Sequence, residues 1–475
     1  MQVKIDSDRY MHYFEEISKI PRCSGNEREI SDYLKKFAED RNLYINQDEN
    51  FNIVIRKKAT EGYEKAPGVI LQGHMDMVCE KSVDSDHDFD KDPIKLQIKD
   101  GYLKAVGTTL GADDGIAIAM GLAILESDEM QHPELELLVT VSEETDMSGA
   151  LNLSNNILRG KKLINIDSEE EGILTVGSAG GVTVKIYKDI EREKCNWKGY
   201  CLEFKGLLGG HSGMEINKKR GNMLKIIAYF LREARSEFKF KLSSFISGKL
   251  DNAIPNFGEI KIQADIKDQS VIQNAIQKTK EEYSDIEGEL EINISQIDLK
   301  ESYTDDLTDK IIDLISEMPT GVNTFVKGSD SVESSNNLAL IKEIDEKIYF
   351  ENSIRSSNLQ VQENLVSKCA EIIERFGFSY ELDSEYPGWE YNQESSLRDL
   401  AQDIYRKIYD KDFETVVVHA GLECGAIASK YPEMDMISIG PNISGAHTVE
   451  ESMELKSAER VYEFIVKLIS EIKYS

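Results

Sequence analysis

The chain is short of positive charge. Its 56 lysines and arginines face 87 aspartates and glutamates over 475 residues, a formal net charge of −31. Phosphate backbones and anionic bilayers recruit basic surfaces, so this deficit argues against DNA, RNA or a membrane as partner. It favours solubility and leaves a field that collects cations. Long hydrophobic runs are missing as well. The longest nearly apolar stretch, Ile116 to Leu125, falls well below the roughly 20 residues of a spanning helix. Cysteine is sparse and unpatterned. Cys23, Cys79, Cys195, Cys201, Cys369 and Cys424 form no C-x-x-C pair, which fits free thiols in a reducing compartment better than a disulfide framework. Met1 to Asp6 carries no apolar signal core, and neither an internal repeat nor a low-complexity run occurs. These absences lead us to expect a soluble, cytoplasmic protein.

What remains is globular: 40% hydrophobic and 30% charged residues, in a chain long enough for two domains. Asp8 to Ile20 and Asn26 to Asp40 show helical spacing, and Asn52 to Arg56 and Gly68 to His74 read as strands. Ser82 to Gly101 reads as a polar, acidic loop, Gly115 to Glu126 as a buried helix, and Leu135 to Val141 and Leu163 to Asp167 as strands. Strands alternating with helices predict an α/β domain with a mostly parallel central sheet flanked by helices. After Gly172 the texture changes. Amphipathic strands and helices alternate without an acid at each strand end, which predicts an inserted α+β domain. From about Tyr391 the first texture returns. The expected division is 1–180 with 390–475, and 181–389 inserted, with Gly180-Gly181 and Pro387-Gly388 as candidate crossings.

The chain is organised around Gln72-Gly73-His74-Met75-Asp76-Met77-Val78, where a short apolar strand ends in His and Asp two residues apart. Residues i and i+2 of an extended chain share a face. His74 is thus a candidate metal ligand, with Asp76 as the carboxylate that orients its imidazole. Other strand ends carry ligand-type residues too: Glu143-Glu144, Asp167, and His447 in Gly445-Ala446-His447-Thr448. Asp113-Asp114 enters the buried helix. Singly, each has a plainer reading, such as a helix N-cap for Asp113-Asp114 or a solvated strand end for Glu143-Glu144. Jointly they converge, because strand C-termini of an open α/β sheet meet at one crevice. Two histidines with several carboxylates suit Zn, Mn or Co rather than Ca. They are too many for one tetrahedral ion and enough for two ions about 3.5–4 Å apart.

These motifs resemble those of the co-catalytic di-zinc peptidases of the aminoacylase and glutamate carboxypeptidase type. Within that family they are most similar to the aminoacyl-histidine dipeptidases. The match runs in order through nearly the whole chain: the His74 motif, Thr108 to Gly115, Glu143-Glu144-Thr145, Asn165 to Glu169, Gly209-Gly210-His211-Ser212-Gly213, Asn252 to Pro255, His419 to Gly425, and Gly445 to Thr448. The resemblance implies a di-zinc peptidase domain with an inserted lid and dimerisation domain. It implies that His74 and Asp167 hold one zinc, that Glu144 and His447 hold the other, and that Asp113 bridges. Cobalt or manganese is the alternative metal. Many members have Asn where this chain has Asp114, which leaves two acids as candidates for the bridge. Glu143 becomes the general base and Asp76 its catalytic companion behind His74. His211 becomes the donor to the oxyanion, in its own subunit or across a homodimer. Asn252, Arg355, Gly421 and Glu423 become substrate-binding residues: Arg355 and Asn252 for the terminal carboxylate, Glu423 for the free amino group. The implied activity is metal-dependent hydrolysis of dipeptides, β-alanyl-histidine among them. A tripeptide aminopeptidase, an N-acyl-amino-acid deacylase and a silent metal-binding scaffold are the rivals.

Overall fold

The computed structural model describes residues 7–473 apart from 287 and 329. The reading of Met1 to Asp6 therefore lies outside the described residues. The chain divides into two compact units. One comprises the segments ending at Ser178, Trp389–Val417 and from Leu422 onward; the other comprises Ala179–Gly388 with Val418–Gly421.

The first unit is built on an eight-stranded sheet. Its strands run in the order Tyr44–Gln47, Ile53–Lys57, Leu135–Thr140, Val69–His74, Lys162–Asn165, Asp435–Ser438, Ile173–Ser178 and Glu414–Val418. The central four are parallel. Antiparallel pairs flank them on both sides. Val69–His74 and Leu135–Thr140 are buried at every position, as strands covered on both faces must be. Their register pairs His74 with Thr140 and Gln72 with Asn165. The chain therefore leaves three neighbouring strands at one edge, where His74, Glu143-Glu144 and Asp167 lie.

The helix Ala112–Glu126 is apolar on all sides and almost wholly buried, which fits a helix inside a core rather than on a surface. It approaches the Val69–His74 strand so closely that a Cβ on Gly73 would collide with Asp114 and Ala117. Gly73 thereby sets how near the Asp113-Asp114 loop comes to His74.

Two expectations fail in this unit. Part of the Ser82 to Gly101 loop is a hairpin, Leu96–Lys99 with Tyr102–Ala105. Asp100 and Gly101 turn it, both at positive φ, the conformation that Asp-Gly favours in a two-residue hairpin. Cys23 and Cys79, read as free thiols, form a disulfide with Cα atoms 5.7 Å apart. A parallel bridge between Cys23 and Met77 aligns the two segments, and a separation of 56 residues held no local signal of it. The other four cysteines are free and buried.

The second unit has a nine-stranded sheet and the helices Met223–Glu237, Ser270–Glu282, Asp305–Glu317 and Leu359–Arg375, which share one core. Three of the helices start at a side-chain cap: Asn222, Thr304 and Asn358 accept from Lys225, Leu307 and Val361 N–H. Val418–Gly421, expected with the terminal segments, joins this unit through the Ala179 N–H, which donates to Val418 and Ala420 carbonyls.

Candidate active site

Asp113 stands between two histidines. Its Oδ1 lies 3.1 Å from His74 Nε2 and its Oδ2 lies 3.2 Å from His447 Nε2. Asp167 Oδ1 is 3.6 Å from His74 Nε2, and Glu144 Oε2 is 2.8 Å from His447 Nε2. The five expected ligands thus fall into two groups, His74 with Asp167 and His447 with Glu144, and Asp113 gives one oxygen to each. Asp114 also meets His74: its Oδ2 accepts the His74 backbone N–H at 3.1 Å. Asp113 thus reaches both histidines, one with each carboxylate oxygen.

The donor set fits divalent metal ions. His74, Asp113 and Glu144 offer ligand atoms within 4.8 Å of one another, as do His74, Asp114 and Asp167. Glu144 Oε1 is buried without a hydrogen-bond partner among the described residues. The electrostatics call for positive charge. Burial pushes Asp167 up to about 6 and raises Glu143 well above the usual carboxylate range. Hydrogen bonds to Asp113 and Glu144 hold the His447 imidazole up at about 11. Burial opposes ionisation of Asp113, yet His447 and His74 hold its carboxyl below the usual range.

Asp76 is fully buried and does more than orient His74. Its Oδ1 accepts the Glu143 N–H at 3.0 Å; its Oδ2 accepts the Glu144 N–H at 3.2 Å and the Ser24 hydroxyl at 2.7 Å. His74 Nδ1 lies nearer the Asp76 backbone carbonyl, 3.1 Å, than its carboxylate, 3.4 Å. The sequence pattern places Glu143 and Glu144 at the end of a strand. Instead the strand ends at Thr140, Ser142 turns the chain at positive φ, and both acids sit in a turn. Glu143 Oε2 ends 3.9 Å from His74 Nε2.

Glu423 is wholly buried. It accepts from Thr140 Oγ1 at 2.6 Å and from Gln72 Nε2 at 2.7 Å, and Gln72 in turn accepts from Asn165 Nδ2 at 2.6 Å. This network braces the three central strands through Glu423 Oε2 alone, while Oε1 is buried without a hydrogen-bond partner among the described residues.

The second unit gathers the other expected residues. His211 and Ala253 pair in a short ribbon, and Ser212 N–H donates to the Asn252 carbonyl. His211 Nδ1 accepts from Gly213 and Met214 N–H at 3.2 and 3.1 Å. An accepting Nδ1 puts the proton of the neutral ring on Nε2. Burial, followed by the charge of Arg355, lowers the His211 pKa, which favours the neutral ring. Arg355 is buried and donates from Nη1 to Tyr386 Oη at 2.7 Å, while its Nε has no hydrogen-bond partner among the described residues. Gly421 lies in the Val418–Gly421 segment beside His419, which meets Ser335 at 2.7 Å. Tyr386 and Ser335 escaped the sequence reading, since neither stands in a motif.

The chain matches the family described as peptidase family M20/M25/M40 over residues 70–471. It is 36% identical over 470 residues to a cytosol non-specific dipeptidase of Escherichia coli, covering 97% of this chain and 96% of that protein. The crystal structure of an aminoacylhistidine dipeptidase from Vibrio alginolyticus superposes with a TM-score of 0.92 at 32% identity, covering 99% and 97% of the two chains. The aminopeptidase PepT of Bacillus cereus shares the fold at a TM-score of 0.58 and 17% identity, over 98% of this chain and 99% of that one.

Proposed function

The chain belongs to peptidase family M20/M25/M40, and from that premise we propose that it hydrolyses dipeptides, β-alanyl-histidine and broader pairs included, with two divalent metal ions. The observation that carries this reading is Asp113 divided between His74 and His447, joined to the identity with the E. coli dipeptidase. His74 and Asp167 would hold one ion, His447 and Glu144 the other, and Asp113 both. Zinc suits these donors, with cobalt and manganese as alternatives. When bound, the ions supply Lewis-acid polarisation of the scissile carbonyl and acidify the attacking water.

The remaining work falls to the chain's own residues. Glu143 takes the proton of the attacking water and returns it to the leaving amine nitrogen. His211 donates its Nε2–H to the developing oxyanion. Arg355, steadied by Tyr386, takes the terminal carboxylate with Asn252, a planar task that guanidinium performs best, and Gly421 is a further substrate contact. In the same reading the protein is cytoplasmic, as the name of the E. coli relative states for that protein. It is a homodimer through the second unit, where the exposed side chains of Leu208, Met214, Leu250 and Phe325 offer apolar surface to cover.

The test is hydrolysis by metal-stripped protein with zinc, manganese or cobalt added back. Carnosine and other dipeptides, a tripeptide and an N-acetyl amino acid are compared. Metal-restored cleavage confined to dipeptides is the expected result. Full activity without metal refutes the metal requirement. Preference for the tripeptide or the N-acetyl compound moves the chain to another activity of the family, and no cleavage at all makes it a silent scaffold.

A further inference from the structure

We propose that Glu451 is a positioning residue that ties the Asp113 loop to the His447 loop, so that one buried carboxylate sets the geometry of both metal-binding groups. The inference rests on the metal-binding reading above. Glu451 is 3% exposed. Its Oε2 accepts the backbone N–H groups of Leu110 at 2.7 Å and Gly111 at 2.9 Å; its Oε1 accepts those of Ala112 at 2.8 Å and Asp113 at 3.4 Å. Four successive N–H groups thus converge on one side chain, and the last belongs to the bridging acid itself.

Glu451 also belongs to the loop that carries His447. Thr448 N–H returns to the Gly445 carbonyl at 3.2 Å and Glu451 N–H to the Thr448 carbonyl at 3.1 Å. Only three residues, already folded on themselves, separate the ligand from the carboxylate that grips the opposite loop. Arg22 completes the device from below. Its buried guanidinium donates from Nη2 to the Gly111 carbonyl and from Nη1 to the carbonyls of Met75 and Asp76, at 3.0 and 3.2 Å. The loop before Asp113 is therefore held by its N–H groups on Glu451 and by a carbonyl on Arg22. The two side chains also attract each other as opposite charges, which offsets the cost of burying either alone.

A carboxylate is required at 451, because an amide of the same shape has one oxygen. Whichever way Gln is turned, two of the four N–H groups face its NH₂. The loop must then shift, and Asp113 shifts with it. Outer residues that orient ligands typically change metal affinity by about 10–100-fold when altered, and that range is expected for Glu451→Gln.

The experiment is calorimetric titration of metal-stripped protein with zinc. Wild type is measured first, and its failure to bind two ions per chain sinks the metal reading itself. Given binding by wild type, Glu451→Gln is expected to bind about 10-fold or more weakly, to lose kcat at limiting zinc, and to regain most of it at excess zinc with KM for a dipeptide little changed. Glu451→Asp keeps the charge but reaches fewer N–H groups, and its affinity is expected to fall between the two. Wild-type zinc affinity in Glu451→Gln overturns the proposal, even if thermal stability drops. If Glu451→Gln does not fold, Glu451→Asp decides alone, and wild-type affinity there overturns it equally.

Discussion

The carboxylate of Asp76 accepts the backbone N–H of Glu143 at 3.0 Å and, through its other oxygen, that of Glu144 at 3.2 Å. One side chain therefore aims both the proposed base and a proposed ligand. Asp76→Asn replaces one acceptor with a donor that confronts an N–H. We expect kcat to fall by about 10–100-fold with KM for a dipeptide nearly constant. Steady-state kinetics at saturating metal checks this. A raised KM at unchanged kcat would instead mean that Asp76 serves substrate binding.

The hydrogen bonds into His211 Nδ1 make a second, independent prediction. If Nε2–H serves the oxyanion, His211→Ala costs about 100–1000-fold in kcat and leaves metal content at wild-type level. Gln at 211 keeps an N–H donor at similar reach and recovers part of the loss. Equal rates for the Ala and Gln variants would remove the donor role.

The site was legible in the sequence wherever a ligand-type residue ended a strand. His74 and Asp167 belong to that class, and the apolar runs before them announced the strands; His447, read as a strand end, instead sits in a turn at positive φ beyond the two-residue strand Ile443–Ser444. Glu143-Glu144 was legible as a pair but not in conformation, because a positive φ at Ser142 replaces the period-2 rule with a turn. The Asp100-Gly101 hairpin was missed although its turn signal was present, since the acidic residues around it masked the alternation of Leu96, Ile98 and Leu103. Arg22 and Glu451 were beyond reach. Their roles lie in backbone groups met across the fold, 341 residues away for Glu451 and Leu110, and no local pattern encodes such a meeting.

A pH prediction follows from Glu126, which Arg9 and Arg41 both contact. The Arg9 hydrogen bond, opposed by partial burial, holds its carboxyl down at about 2 against an ordinary 4.5. A lowered carboxyl pKa stabilises the fold above the unfolded value, and that gain is lost as pH falls from about 4.5 toward 2. All three side chains are partly exposed, so solvent screening limits the effect to about 1 kcal/mol. Urea unfolding of wild type and Glu126→Gln is expected to differ by that amount near neutrality and to converge at acid pH. A difference independent of pH would assign the loss to packing rather than charge.

The Cys23–Cys79 disulfide closes a loop that spans the Val69–His74 strand and the start of the site. Ser24, next to Cys23, donates to Asp76, while Arg22, on its other side, donates to the Met75 and Asp76 carbonyls. Cross-linking across 56 residues restrains the unfolded chain, an effect of about 2–4 kcal/mol in the loop-entropy account. Cys79→Ser, or full reduction of wild type by a small thiol, is therefore expected to lower the urea midpoint and, because the unfolded chain expands further without the cross-link, to steepen the transition. Both sulfurs belong to half-buried residues. Because Ser24 and Arg22 retain their hydrogen-bond partners when the sulfurs part, kcat under native conditions is expected to change less than stability does. A large loss of kcat at full metal occupancy, with the urea midpoint unmoved, would reverse that order and make the disulfide part of the machinery that positions Asp76.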